Sequence, residues 1–321
     1  MQENKTDIRS CAVIGCGNVG ATTAYSLMQS GLLSKLLLID INEKKAQGEA
    51  DDIAHALPFN APMEIKAGKY SDISDCGIII ITAGANQQPG ETRIQLVDKN
   101  VKIFRNIIDN VTKYNKDAII LAVTNPVDIL TYDTLSYSGL DPRKVIGSGT
   151  VLDTARLKEL VGRHIGVDSR NIHSFIIGEH GDSELAVWSS ANVSGIDLDS
   201  FCKEKNIEFD ENTKKTLAED VTTSAYRIIE GKGATYYAIA DSVRRIVTAI
   251  INDEHSILPI SVLLNGQYGV DNVCLGVPCI LGKNGVESIL EIKLNDEEKE
   301  KLLNSANILK EIISEIQLVK I

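Results

Sequence analysis

The stretch Cys11-Ala12-Val13-Ile14-Gly15-Cys16-Gly17-Asn18-Val19-Gly20 decides the fold. Four apolar residues read as a buried strand, and a GxGxxG pattern follows at once and opens a helix. That context turns a weak motif into the fingerprint of a turn that holds a dinucleotide pyrophosphate. Gly15 permits the tight turn, Gly17 lets the backbone approach the phosphates, and Gly20 lets helix and strand pack closely. The helix N-terminus then stabilises the phosphate charge. Asp40 follows the next apolar run, 35–39, where an acid can accept hydrogen bonds from the adenosine ribose. Its charge would repel a 2′-phosphate, which predicts NAD as cofactor in preference to NADP. A triphosphate-binding P-loop is disfavoured because GCGNVG contains no lysine.

Outward from this turn, apolar runs at 10–14, 35–39, 77–82, 118–123 and 144–146 alternate with helical stretches at about 19–31, 43–57, 93–114 and 127–138. Uniformly apolar strands alternating with helices predict an α/β fold: a doubly wound parallel sheet of the Rossmann kind, with 64–67 as its third strand. After Gly149 the pattern changes. A helix at 151–165 and a strand at 173–178 precede helices at 211–230 and 236–251, then extended runs at 256–264, 273–281 and 288–292. The boundary is placed near Ser148, giving an NAD-binding domain over 1–148 and an α+β substrate and catalytic domain over 149–321. Asn295 and Glu298 form a capping-box pattern that opens a final helix, expected to pack back on the first domain.

The 321 residues carry 33 Lys and Arg against 44 Asp and Glu, a formal net charge of −11. Such a surface repels phosphate backbones, so no nucleic-acid partner is expected. A small anionic substrate would need a local arginine to overcome the global sign. The opening MQENKTDIRS lacks the apolar stretch of a signal peptide, and no run of about 18 apolar residues exists. A cytoplasmic location without a membrane partner is therefore expected. Cys11, Cys16, Cys76, Cys202, Cys274 and Cys279 form no CxxC pair and read as reduced core thiols, with no metal site.

Four further segments carry chemistry: Gly84-Ala85-Asn86-Gln87-Gln88-Pro89-Gly90-Glu91-Thr92-Arg93, Thr124-Asn125-Pro126-Val127-Asp128, Asp153-Thr154-Ala155-Arg156 and Gly178-Glu179-His180-Gly181-Asp182. In this order they resemble the lactate/malate dehydrogenase family, in the wording of its bacterial members, from about Arg9 to the final helix. The resemblance implies an NAD-dependent oxidoreductase that moves a hydride between NADH and pyruvate, giving (S)-lactate in fermentative glycolysis. It also implies a homotetramer.

Oxidising a 2-hydroxy acid removes a hydride from carbon and a proton from oxygen, and histidine, with an ordinary pKa of about 6.5, suits the proton. Of the five histidines, His180 follows an apolar strand in a Gly-Glu-His-Gly turn, and the resemblance places the catalytic base there. His55 and His164 fall in helical patterns as packed or surface residues, and His255 in a loop. Asp153 and Asp182 both qualify by type as the carboxylate that orients the imidazole; the resemblance favours Asp153. Asp153 and Arg156 share one helix face. The resemblance makes Arg156 the bidentate clamp on the substrate carboxylate, the plain alternative being a surface ion pair. It makes Arg93 the residue that closes over the substrate and polarises its carbonyl. Asn125 is implied to hydrogen-bond the substrate oxygen, and Thr235 to line the pocket. The implied cofactor set comprises Gly15, Gly17, Asn18, Val19, Gly20, Asp40, Thr82, Ala83, Gly84, Val123 and Asn125.

Gln87 selects the substrate. Malate-specific relatives carry an arginine at the corresponding loop position, which pairs with a second carboxylate. Neutral Gln87 predicts pyruvate over oxaloacetate; a malate or broader 2-hydroxy acid dehydrogenase is the alternative, and a nonenzymatic NAD sensor the rival from another class. The resemblance also implies allosteric activation by fructose 1,6-bisphosphate, with His173 at an effector position and Lys158 where an arginine is usual. A further departure is Ala186, where proline is usual.

Overall fold

The structure, a computed structural model, describes residues 6–85, 90, 92–316 and 318, apart from the Arg93 side chain. Its first half comprises β1 (Asp7–Ile14), α1 (Asn18–Gln29), β2 (Lys35–Ile39), α2 (Glu43–His55), β3 (Glu64–Ala67), β4 (Cys76–Ile81), α3 (Arg93–Tyr114), β5 (Ile119–Ala122), α4 (Val127–Ser138) and β6 (Val145–Gly147). The six strands pair in parallel in the order β6-β5-β4-β1-β2-β3. Every residue of β4 and β5 is buried, which accounts for their continuous apolar sequence.

The second half comprises α5 (Val151–Ile165), β7 (Ile172–His173), β8 (Ile176–Ile177), β9 (Leu185–Ala186), β10 (Asn192–Val193), β11 (Ile196–Asp197), α6 (Leu198–Glu204), α7 (Glu211–Lys232), α8 (Tyr237–Ile251), β12 (Ser256–Asn265), β13 (Asp271–Gly282), β14 (Gly285–Ile289) and α9 (Asp296–Glu315). β12 lies antiparallel against β6, and β13 and β14 follow it, so one sheet of nine strands runs through both halves. Val262, Leu275 and Val277 consequently belong to the same core as Val13 and Ile79. A smaller core of Leu157, Val161, Ile172, Leu198 and Val221 lies among α5, α6 and α7. At roughly 1.5–3 kcal/mol for each fully buried large aliphatic side chain, the shared core binds the two halves together.

The strand expected at 173–178 is two short strands instead. Ile172–His173 pairs with β10, and Ile176–Ile177 pairs with β9. The change of partner occurs at Ser174 and Phe175: the Ser174 hydroxyl donates to the Val187 carbonyl at 3.1 Å, and the Val187 N–H donates to the Phe175 carbonyl at 2.9 Å. Ala186, at the position where proline is usual, sits in β9 opposite Ile176.

The final capping box forms as read. Asn295 Oδ1 accepts the Glu298 N–H at 2.8 Å, and Glu298 Oε2 accepts the Asn295 N–H at 2.9 Å. From there α9 packs against α4, β9 and β13. α8 packs along α1, where Ser26 donates to Asp241 at 2.8 Å and accepts from Arg244 at 3.1 Å. All six cysteines are buried free thiols. Among the described residues no helix is long and apolar enough to cross a membrane.

Candidate active site

The strand order reverses between β4 and β1, and the crevice outside the carboxyl ends of these strands is where such sheets bind ligands. Gly15 leaves β1 with φ +101°, a region that favours glycine, and a Cβ there would fall 2.5 Å from the Ala83 nitrogen. At Gly20 a Cβ would collide with the Gly15 carbonyl. At Gly17 it would meet nothing, which leaves the backbone open to an incoming group. No side chain caps α1. Its leading N–H groups are therefore available to an anion, which is the condition for holding a pyrophosphate.

A cavity of about 690 Å³ runs along this turn, lined by Gly15, Gly17, Asp40, Thr82, Ala83 and Gly84 among others. Asp40 Oδ2 accepts the Cys16 N–H at 2.7 Å and Oδ1 accepts the Asn42 N–H at 2.8 Å, which ties the acid to the glycine turn. Each oxygen retains acceptor capacity for a ribose hydroxyl. The Thr82 hydroxyl donates to the Gly15 carbonyl at 2.7 Å and joins the ends of β1 and β4. Thr82 and Gly84 also line a second cleft of about 360 Å³, together with Val19, Val123, Asn125, Arg156, His180 and Thr235. The dinucleotide cavity thus opens onto the cleft that holds the reactive side chains. Asn18 opens α1 and is exposed.

His180 is fixed at both its backbone and its ring. Its N–H donates to Asp128 Oδ2 at 2.7 Å, and the Glu179 N–H before it donates to the Ser305 hydroxyl at 2.8 Å. Its Nδ1 lies 2.6 Å from Asp153 Oδ2, so the proton on that nitrogen faces the carboxylate and Nε2 is left to the cleft. Asp153 Oδ1 accepts from Arg156 Nη1 at 2.7 Å. The ion pair between Asp153 and Arg156 forms, and Arg156 lines the cleft as well; a guanidinium has donors for both tasks. Burial acts to lower the His180 pKa, but the charge and hydrogen bond of Asp153 outweigh it and push it up to about 9. Burial acts to raise the Asp153 pKa, and His180 and Arg156 together bring it below the usual value.

The two aspartates that qualified by type are separated by the fold. Asp182 is exposed and accepts from the Tyr226 hydroxyl at 3.2 Å. Arg93 opens α3, its side chain lying outside the described part, and Gln87 lies outside the described residues. His55, His164 and His255 are exposed and line neither cavity. Lys158 is half-buried and His173 exposed, and neither lines the cleft.

Sequence reading quotes Asp128 within its motif but assigns it no role, and it misses Asn100. Asp128 is buried, and beyond His180 it accepts the Ser261 hydroxyl at 2.5 Å. Burial raises its pKa to about 6 despite those hydrogen bonds. Asn100, also buried, receives the Ala85 N–H at 2.8 Å and donates to the Asn125 carbonyl at 3.1 Å, which joins two loops of the cleft. Each is a polar residue on a helix face that must be buried, a signal that the sequence does contain.

Fold and site together define a dinucleotide-dependent dehydrogenase. Residues 10–147 match the NAD binding domain of lactate/malate dehydrogenase, and residues 150–319 match its alpha/beta C-terminal domain. The chain therefore belongs to the lactate/malate dehydrogenase family. It is 54% identical over 318 residues to the L-lactate dehydrogenase of Acetivibrio thermocellus, covering 99% of this chain and 100% of that protein. It is 51% identical to L-lactate dehydrogenase 1 of Clostridium acetobutylicum, covering 95% and 97%. A crystal structure of the minor L-lactate dehydrogenase of Enterococcus mundtii, in its ligands-bound form, superposes with a TM-score of 0.94 at 39% identity, covering 99% and 100%.

Proposed function

We infer that this chain is an NAD-dependent L-lactate dehydrogenase that interconverts pyruvate and (S)-lactate. The single observation that supports the reading best is the His180–Asp153 pair, set in one cleft with Arg156 and Asn125 and continuous with the dinucleotide cavity. The bound nicotinamide supplies or takes up the hydride. His180 donates its Nε2 proton to the ketone oxygen on reduction and recovers it from the hydroxyl on oxidation. Asp153 keeps the other ring proton on Nδ1 and stabilises the imidazolium. Arg156 binds the substrate carboxylate and supplies the local cation that a chain of net charge −11 needs. Asn125 hydrogen-bonds the substrate oxygen, Thr235 lines the substrate side, and Arg93 closes over the carbonyl.

A panel of 2-oxo acids assayed with NADH and with NADPH tests this. Pyruvate with NADH is expected to give the highest kcat/KM. A preference for oxaloacetate, equal use of NADPH or no oxidation of NADH would reject the reading.

The wider context is a cytoplasmic homotetramer working in fermentative glycolysis. Six reduced thiols suit a reducing compartment. Exposed Tyr226 and Ile228 on α7 and Tyr237 on α8 suit subunit contacts. The division near Ser148 assigns the glycine turn to one unit and the His180–Asp153 pair to the other. Fructose 1,6-bisphosphate acts as an effector at Lys158 and His173, which lie on the packed elements α5 and β7. Burial lowers the Lys158 pKa, and a bound phosphate would supply a counter-charge that offsets this. The half-saturating pyruvate concentration is expected to fall when the sugar bisphosphate is added, and an unchanged value would remove the effector from this account.

A further inference from the structure

Behind the His180–Asp153 pair stands a third ionisable group that the reaction as derived does not use. A carboxylate oxygen of Glu184, one of Asp153 and a ring nitrogen of His180 all lie within 4.8 Å of one another. Glu184 does not line the reactive cleft. It lines instead two other cavities, of about 540 and 290 Å³, between β9 and α7. The Thr222 hydroxyl of α7 donates to Glu184 Oε1 at 3.3 Å.

We propose that Glu184 is a positioning residue that sets the protonation of His180 from outside the reactive cleft. A negative charge at this distance favours the imidazolium, the form that donates the proton to a ketone. It also opposes the charge of Asp153, so the two carboxylates raise each other's pKa while His180 and Arg156 act against that on both. The charged groups around it come from every packed element. His180 and Asp182 share its loop; α5 presents Asp153 and Arg156. From α7 come Glu211, Glu219, Lys214 and Lys215, from α6 Asp199, and from α9 Glu297, Glu298 and Lys301, along the same cavities. Burial first, then the charge of Asp153, raises the Glu184 pKa to about 8, with His180, Thr222 and Arg156 acting in the opposite direction. His180 is pushed up to about 9. As pH rises, Glu184 thus ionises just before His180 loses its proton, and the new charge delays that loss.

This inference rests on the lactate dehydrogenase reading, and one experiment separates the two. kcat/KM for pyruvate is measured across pH at saturating NADH for the wild type and for Glu184→Gln. The wild type is expected to lose activity on an alkaline limb near pH 9 as His180 deprotonates. Glu184→Gln keeps the shape and removes the charge, so its limb is expected to move to lower pH by at least about half a unit, the shift expected for a charge some 5 Å away even in water. The acid limb of lactate oxidation should move the same way. Glu184→Ala is expected to shift the limb in the same direction and serves if the amide cannot be accommodated. A uniformly lower rate with an unmoved limb, or failure of both variants to fold, would make Glu184 merely structural and overturn the proposal. Absence of a wild-type limb would instead count against His180 as the proton donor.

Discussion

Replacing His180 by Gln is expected to lower kcat/KM for pyruvate by about 100- to 10,000-fold, the range that positioned acid–base catalysis contributes. Glutamine retains bulk and a hydrogen-bond donor for Asp153 but carries no proton that it can yield at neutral pH. The loss should fall mainly on kcat, because the proposed reading assigns binding of the substrate carboxylate to Arg156. The fold should survive. The His180 side chain is 22% exposed, its backbone N–H stays with Asp128, and Asp153 keeps its ion pair with Arg156 at 2.7 Å. Steady-state kinetics alongside a thermal melt decide the matter. A folded variant with less than a tenfold loss would show that the proton travels by another route.

Replacing Gln87 by Arg is expected to move the ratio of kcat/KM for oxaloacetate over pyruvate by roughly 30- to 5,000-fold toward oxaloacetate. The figure corresponds to about 2–5 kcal/mol for leaving a buried charge without its partner. On the proposed reading of Gln87 as the residue that meets the substrate side chain, a second carboxylate is desolvated opposite a neutral amide, while the methyl group of pyruvate carries no such penalty. Arginine reverses this, because it offers a bidentate partner to the extra carboxylate and repays nothing for a methyl group. The two substrates are compared in both proteins at fixed salt. An unchanged ratio would mean that another residue reads the substrate side chain.

Much of the first half was legible because its signals are local. Residues 35–39, 64–67, 93–114 and 127–138 form the elements read for them, since an apolar run between turn signals needs no knowledge of its neighbours. The capping box at Asn295 and Glu298 forms for the same reason. The segment 173–178 was misread because apolar composition shows that a strand is buried and not which strand it pairs with; its two ends pair with β10 and β9. In the site, the glycine turn, Asp40 and His180 could be located from motifs, whereas Asp128 acts through a backbone N–H 52 positions away.

By itself the sequence determined the parallel α/β sheet, the dinucleotide turn and the residue types available for acid–base chemistry and carboxylate binding. Those follow from periodicity, glycine geometry and side-chain pKa, which are properties of short segments. The tertiary structure alone decided that β12 continues the sheet from β6, that Asp153 and not Asp182 meets His180, and that Glu184 stands behind both. Each of these depends on contacts between segments far apart in the chain, where hydrogen-bond partners and electrostatic fields are set by packing and no local pattern records them.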